Sequence, residues 1–161
     1  MSRLGDHEYI CILPFKRRKK FPVEAILRVV RGKGETEYKS QIITRSDSKI
    51  ESLKDLNGKK FAFTDPSSTS GFVIPSAYLN KAGVELGDVV LGINTMPLSP
   101  VYQGQVDAGA TYYFPPADDG KMRDARVRVL TQFPDALEKV KVVTLHGLYP
   151  QRALGVEVQS L

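Results

Sequence analysis

Cysteine is almost missing from this chain: Cys11 stands alone among 161 residues. That excludes an internal disulfide and any multi-cysteine metal site. Histidine is nearly as scarce, and His7 and His146 lie too far apart in sequence for metal-ligand spacing. No run approaches the ~18 apolar residues that a membrane helix needs. There is no Gly-Lys-Ser/Thr phosphate loop, no Gly-x-Ser-x-Gly elbow, no histidines paired at short spacing and no assembled Ser-His-Asp set. Those absences argue against an enzyme, and no cofactor or metal is expected. Acidic residues are outnumbered, 18 against 23 Lys and Arg, for a net charge of +5. Such a balance attracts anions of any sort and does not select among them. Much of the excess sits in Lys16-Arg17-Arg18-Lys19-Lys20, a run without interleaved aromatics, so a solvated arm is expected and no nucleic-acid partner. A signal peptide is not expected either. The apolar run Tyr9 to Leu13 is short, Pro14 interrupts it, and its basic residues follow instead of preceding it. Glu-Tyr-Ile before Cys11 is unlike a lipoprotein box, so the chain as written is expected to stay cytoplasmic.

What is present is concentrated between residues 61 and 71, Phe-Ala-Phe-Thr-Asp-Pro-Ser-Ser-Thr-Ser-Gly. Phe61 and Phe63 with small neighbours read as a short buried strand, stopped by the turn signal Asp65-Pro66. Hydroxyl residues then lead through Gly71 into Phe72 to Ala82, whose apolar spacing is helical. The first N–H groups of a helix have no partner within it, and the dipole places partial positive charge there. Hydroxyls at the same place add neutral donors, so an anion can be held without lysine or arginine. One Ser or Thr would suffice as a helix cap. Four consecutive hydroxyls, Ser67 to Ser70, before a glycine, which permits close backbone approach, exceed that need.

Asp65-Pro66-Ser67-Ser68-Thr69-Ser70-Gly71, followed by Ile74-Pro75 and Leu79 to Gly83, resembles the signature of the phosphate/phosphite/phosphonate-binding proteins of ABC importers. Tyr102 to Tyr112 resembles that family's second block, and Ser40 to Ser48 with Ser52 to Lys59 resembles the segment before the turn. The resemblance covers about residues 22 to 145. It implies that Ser68, Thr69, Ser70 and the N–H groups toward Gly71, with Ser67 beside them, hold the oxygens of a phosphonate, phosphite or phosphate. Asp107 lies in the second block, where it either organises the cleft or caps nearby backbone. Tyr112 follows at a strand end, where ligands of open α/β sheets sit, and either lines the pocket or packs. The resemblance also implies an ABC permease as partner and a periplasmic or extracytoplasmic place of action. Asn94 stands near where the family often has a histidine, which puts an aminoalkylphosphonate preference in doubt.

Along the chain, residues 25–31 and 38–45 read as a hairpin or neighbouring strands around the turn Gly32 to Glu35. A short helix with a Ser52/Asp55 capping box follows, then strand 60–64, helix 69–82 closed by Gly83, and strand 89–93. Pro75 requires an irregular first turn or a kink. Pro97 and Pro100 interrupt an expected helix, since each would cost roughly 3 kcal/mol in its interior. Strand 106–112, strand 126–131, helix 134–139 and strand 141–145 complete the pattern. This alternation implies α/β architecture, with helices on both faces of a mixed, mainly parallel sheet. The resemblance makes it a single lobe of a type 2 periplasmic-binding-protein fold. The organisation expected is an unmatched basic leader over 1–21, an anion-binding lobe over 22–145 and an unmatched tail over 146–161. A truncated or frameshifted gene product would have such ends, and a homodimer would supply the missing lobe. The alternatives are a non-transport protein or enzyme holding a phosphorylated ligand at the same turn, or a non-functional fragment.

Overall fold

The computed structural model describes residues 23–28, 37–92, 97–150 and 153–157. The basic run 16–20, Cys11, the turn 32–35 and Asn94 therefore lie outside the described residues. The chain forms two compact units, Tyr38–Leu148 and the two terminal stretches Met1–Glu37 with Tyr149–Leu161. In the smaller unit, β1 (Val23–Arg28) pairs antiparallel with the last strand, β7 (Ala153–Glu157), placing Val23 opposite Glu157.

The larger unit is built on five strands: β2 (Glu37–Arg45), β3 (Phe61–Phe63), β4 (Val89–Leu91), β5 (Ala108–Tyr113) and β6 (Val140–Pro150). Their order across the sheet is β4-β3-β5-β2-β6. β3 runs parallel to β4 and β5, and β2 runs antiparallel to β5, so the sheet is mixed as expected. The hairpin between β1 and β2 is not formed. Both hydrogen-bonding edges of β2 are taken, by β5 and β6, which leaves β1 to pair with β7.

Alternation along the strands builds two cores. Ile42 joins one buried cluster and Ile43 the other; Phe61 and Phe63 join the first and Ala62 the second. The first face is covered by Leu56 of the 3-10 turn Leu53–Leu56 and by Leu79 of helix α1 (Ile74–Lys81). The second is covered by helix α2 (Leu98–Tyr102), the 3-10 turn Ala125–Val129 and helix α3 (Ala136–Lys139). Asp55 holds the first 3-10 turn by accepting from the N–H of Ser52 at 2.8 Å and of Glu51 at 3.1 Å. Gly83, with φ at +67°, ends the segment after α1, as its position suggests.

Two expectations are corrected by the geometry. Pro97 and Pro100 do not break a helix interior. Pro97 is the N-cap of α2 and Pro100 lies in its first turn, where no intrahelical donor is lost. Residues 126–131 form no strand. Asp124 accepts from the Arg126 N–H at 2.9 Å and caps a 3-10 turn instead.

His146 ties β6 to α1. It is 5% exposed and stacks on Tyr78 with centroids 4.1 Å apart. Burial lowers its pKa from the ordinary 6.5. The unfolded chain therefore binds that proton more readily, and stability present above about pH 6.5 is lost as the pH falls below it. Thermal unfolding should show a lower midpoint at pH 5 than at pH 7.5. His146→Phe, which keeps a stacking ring, should flatten that slope. An unchanged slope in the variant would assign the effect elsewhere.

Candidate anion-binding site

β3 consists of three buried residues held between parallel neighbours, so it fixes the direction in which the chain leaves the sheet. The return is tight. The Thr64 N–H donates to the Gly71 carbonyl at 3.1 Å, and the Ser68 N–H to the Asp65 carbonyl at 2.8 Å. Asp65 Oδ1 accepts from the Ser67 N–H at 2.8 Å and from the Ser67 hydroxyl. The Ser67 hydroxyl first, and its N–H second, hold the Asp65 carboxyl below the usual carboxylate range. Ser68 then acts as the N-cap: its Oγ accepts from the Gly71 N–H at 3.2 Å, and its carbonyl from the N–H groups of Phe72 and Val73.

The first turn, Thr69–Val73, is a π turn that passes directly into α1. Pro75 accounts for it. Having no N–H, it cannot give the Gly71 carbonyl its ordinary helical bond. That carbonyl takes the Thr64 N–H, while the Ser70 carbonyl takes the Ser40 hydroxyl at 2.6 Å. Irregular turns of this kind gather at functional sites.

Thr69 and Ser70 are 5% and 7% exposed. Among the described residues, nothing is hydrogen-bonded to their N–H groups or hydroxyls. These two N–H groups, these two hydroxyls and the proton of the Ser68 hydroxyl form a compact donor set at a helix start. Ser67 is beside them, turned to Asp65. Gly71 belongs to the packing: a Cβ there would lie 1.8 Å from Thr64 Oγ1. Sequence reasoning missed Thr64 and the anchoring bond from Ser40. The signals for Ser40 were its place at the head of the stretch Ser40 to Ser48 and a hydroxyl in strand alternation with Ile42.

Tyr112 sits at the carboxyl end of β5, the edge from which the turn also leaves. Its register partner is Ser40, whose hydroxyl holds the turn, and its ring lies 5.5 Å from the Arg128 guanidinium. Asp107 is at the other end of the sheet. Its Oδ2 accepts from the Lys60 N–H at 2.8 Å, its N–H donates to the Lys60 carbonyl at 2.9 Å, and its own carbonyl accepts from Thr44 Oγ1 at 2.6 Å. It therefore fastens the starts of β3 and β5, about 10 Å of strand away from Ser68 to Gly71. There it borders an open groove of about 430 Å³ with Lys49, Asp55 and Lys59. Among the described residues, no group of three His, Cys, Asp or Glu side chains is placed to hold a metal.

A mixed sheet with a donor-rich helix start at its carboxyl edge is suited to gripping a small oxyanion. Residues 11–153 match the family described as "ABC transporter, phosphonate, periplasmic substrate-binding protein", and the chain belongs to that family. The Phosphate-import protein PhnD of Mycolicibacterium smegmatis is 40% identical over 74 residues, which are 45% of this chain and 23% of that protein. A binding protein component of an ABC phosphonate transporter from Pseudomonas aeruginosa is similar at 25% identity and TM-score 0.65, covering 83% of this chain and 44% of that one. PhnD1 from Prochlorococcus marinus, solved with methylphosphonate, shares the fold at TM-score 0.57 and 23% identity, over 89% of this chain and 52% of its own. The chain thus spans about half the length of these solved relatives. The family is periplasmic and consists of transporter substrate-binding proteins, not enzymes.

Proposed function

We propose that this chain is a solute-binding lobe of an ABC importer, holding a phosphonate, phosphite or phosphate group at the turn Ser68 to Gly71. The observation that carries this reading is the pair Thr69 and Ser70: nearly buried, yet with amides and hydroxyls that meet no described residue. No other described group uses these donors, and the two hydroxyls keep contact with solvent, so a ligand can reach them. An anion with three oxygens accepts from several at once, and the helix dipole favours its charge. Ser68 caps the turn and offers its hydroxyl proton. Ser67 and Asp65 set the turn's shape, Gly71 lets Thr64 pack against it, and Tyr112 borders the same edge. The permease partner and the extracytoplasmic setting follow from the family.

A single lobe leaves its half of the ligand in water, so each bond to the anion is offset by lost hydration. Affinity is expected to be about millimolar or weaker. At ten times such a dissociation constant, ligand adds about 1.4 kcal/mol of stability. That is a thermal shift of roughly 3 to 6 °C for a chain of this size. A panel of phosphate, phosphite, sulfate and methylphosphonate tests it. The shift should vanish in Thr69→Ala/Ser70→Ala and largely survive in Ser67→Ala, whose backbone N–H still meets Asp65 Oδ1. Equal shifts in the double variant and the parent would overturn the reading.

A further inference from the structure

β4 is the outer strand of the five-stranded sheet, and Val89, Val90 and Leu91 are 50%, 37% and 48% exposed. Soluble proteins usually guard such an edge with a charge, a proline or a bulge. These three residues offer none of them. The pairing with β3 fixes which backbone groups face outward. Phe61 N–H donates to the Asp88 carbonyl at 2.8 Å and Gly92 N–H to the Phe63 carbonyl at 3.0 Å, with Ala62 opposite Val90. In a parallel ladder the bonds alternate, so residues 88, 90 and 92 turn toward β3. Val89 and Leu91 therefore present their N–H and C=O groups away from the sheet.

We infer that the β4 edge pairs with β4 of a second copy of this chain, antiparallel and centred on Val90. A two-fold axis at Val90 sets Val89 opposite Leu91 of the other copy, and each such pair exchanges two backbone bonds. Val90 meets itself as the close, non-hydrogen-bonded pair, apolar against apolar. Asp88 falls opposite Gly92, so no like charges meet. A second copy is the occupant this edge favours because it complements itself. Every outward donor finds an outward acceptor, side chains on both faces meet apolar partners, and the strand offers no charge for a charged partner to read. Three residues bury far less than the roughly 1,200 Å² of a stable interface, so the dimer is weak, on the order of 100 µM or weaker.

Sedimentation of the full chain across rising concentration should show the mass climbing from one chain toward about two. Amide exchange followed by NMR gives a test that needs no variant. Exchange at Val89 and Leu91 should slow as concentration rises, while Val90, bonded to β3 in either state, should not change. Val90→Lys sets two ammonium groups at the axis, and Val89→Pro removes an outward donor while leaving the bonds to β3 intact. Both should stay at one chain with unchanged far-UV circular dichroism. A mass independent of concentration, exchange at Val89 and Leu91 independent of concentration, or a Val90→Lys chain that still doubles would each overturn the inference. Should a variant fail to fold, the exchange measurement on the parent chain decides.

Discussion

Asp124→Ala is expected to cost about 3 to 5 kcal/mol, enough to unfold a marginal domain. Asp124 and Arg126 are 1% and 8% exposed, and their side chains meet at 2.8 Å between Nη2 and Oδ2, with Nε 3.2 Å from both carboxylate oxygens. Arg126 also donates from Nη1 to the Val140 carbonyl at 3.1 Å, joining the 3-10 turn to the start of β6. Without the carboxylate the buried guanidinium keeps, among the described residues, only the Val140 carbonyl to meet it. The turn also loses its cap, since Asp124 Oδ1 takes the Arg126 N–H. Most of the cost should come from the stranded charge, not from the pair's own attraction. The double variant Asp124→Ala/Arg126→Met removes that charge and should lose clearly less stability than Asp124→Ala alone. Urea midpoints of the parent and both variants measure this. A single variant within about 1 kcal/mol of the parent would show that the buried pair is not what holds this turn.

That pair also shows where sequence reading stops. Val127 and Val129 alternate with arginines in a way that suggests a strand, and only the contact between Asp124 and Arg126 turns the segment into a 3-10 turn. Elements whose signals are local were legible: Phe61 and Phe63 before Asp65-Pro66, the Asp55 cap, Gly83 after α1, and the small buried residues of β5. The partner of β1 was not. Val23 pairs with Glu157 at the far end of the chain, and adjacency in sequence favours a nearby strand that β5 and β6 already enclose. The prolines at 97 and 100 misled for a different reason. Their cost depends on where a helix starts, and α2 starts at Leu98.

The site was legible as a motif but not in its division of labour. A hydroxyl run before Gly71 marks a helix start able to hold an anion. Which hydroxyl serves the turn and which stays available depends on Asp65 reaching Ser67 and on the π turn that accompanies Pro75. Asp107 carries no local sign of which end of the sheet it occupies. Its bonds to Lys60 and Thr44 become evident only once β3 and β5 lie side by side.

Gly71→Ala should abolish the anion response and destabilise the fold by roughly 2 to 3 kcal/mol. Backbone conformation is not the reason, because Gly71 has no positive φ. By helix propensity alone alanine would be better by roughly 1 kcal/mol. Packing decides the sign. The new Cβ would lie 1.8 Å from Thr64 Oγ1 and 2.8 Å from both Thr64 Cβ and Cγ2. A rotation of Thr64 can move Oγ1 and Cγ2, but its Cβ is fixed to the backbone, so the strand end and the turn must separate. Separation breaks the bond from Thr64 N–H to the Gly71 carbonyl and draws the Gly71 N–H away from Ser68 Oγ. The donors of Thr69 and Ser70 then lose their common aim. A ladder of second variants distinguishes this from a general intolerance of change. Thr64→Ala alone should leave both folding and the thermal shift with phosphate nearly intact. Thr64→Ala/Gly71→Ala should recover only part of the lost stability, because the Cβ of residue 64 remains. Thr64→Gly/Gly71→Ala should recover more, although glycine at residue 64 itself costs up to about 1 kcal/mol. Melting temperatures with and without phosphate, taken across the four variants, read the order directly. A Gly71→Ala chain as stable and as responsive as the parent would mean that the turn does not need this close approach.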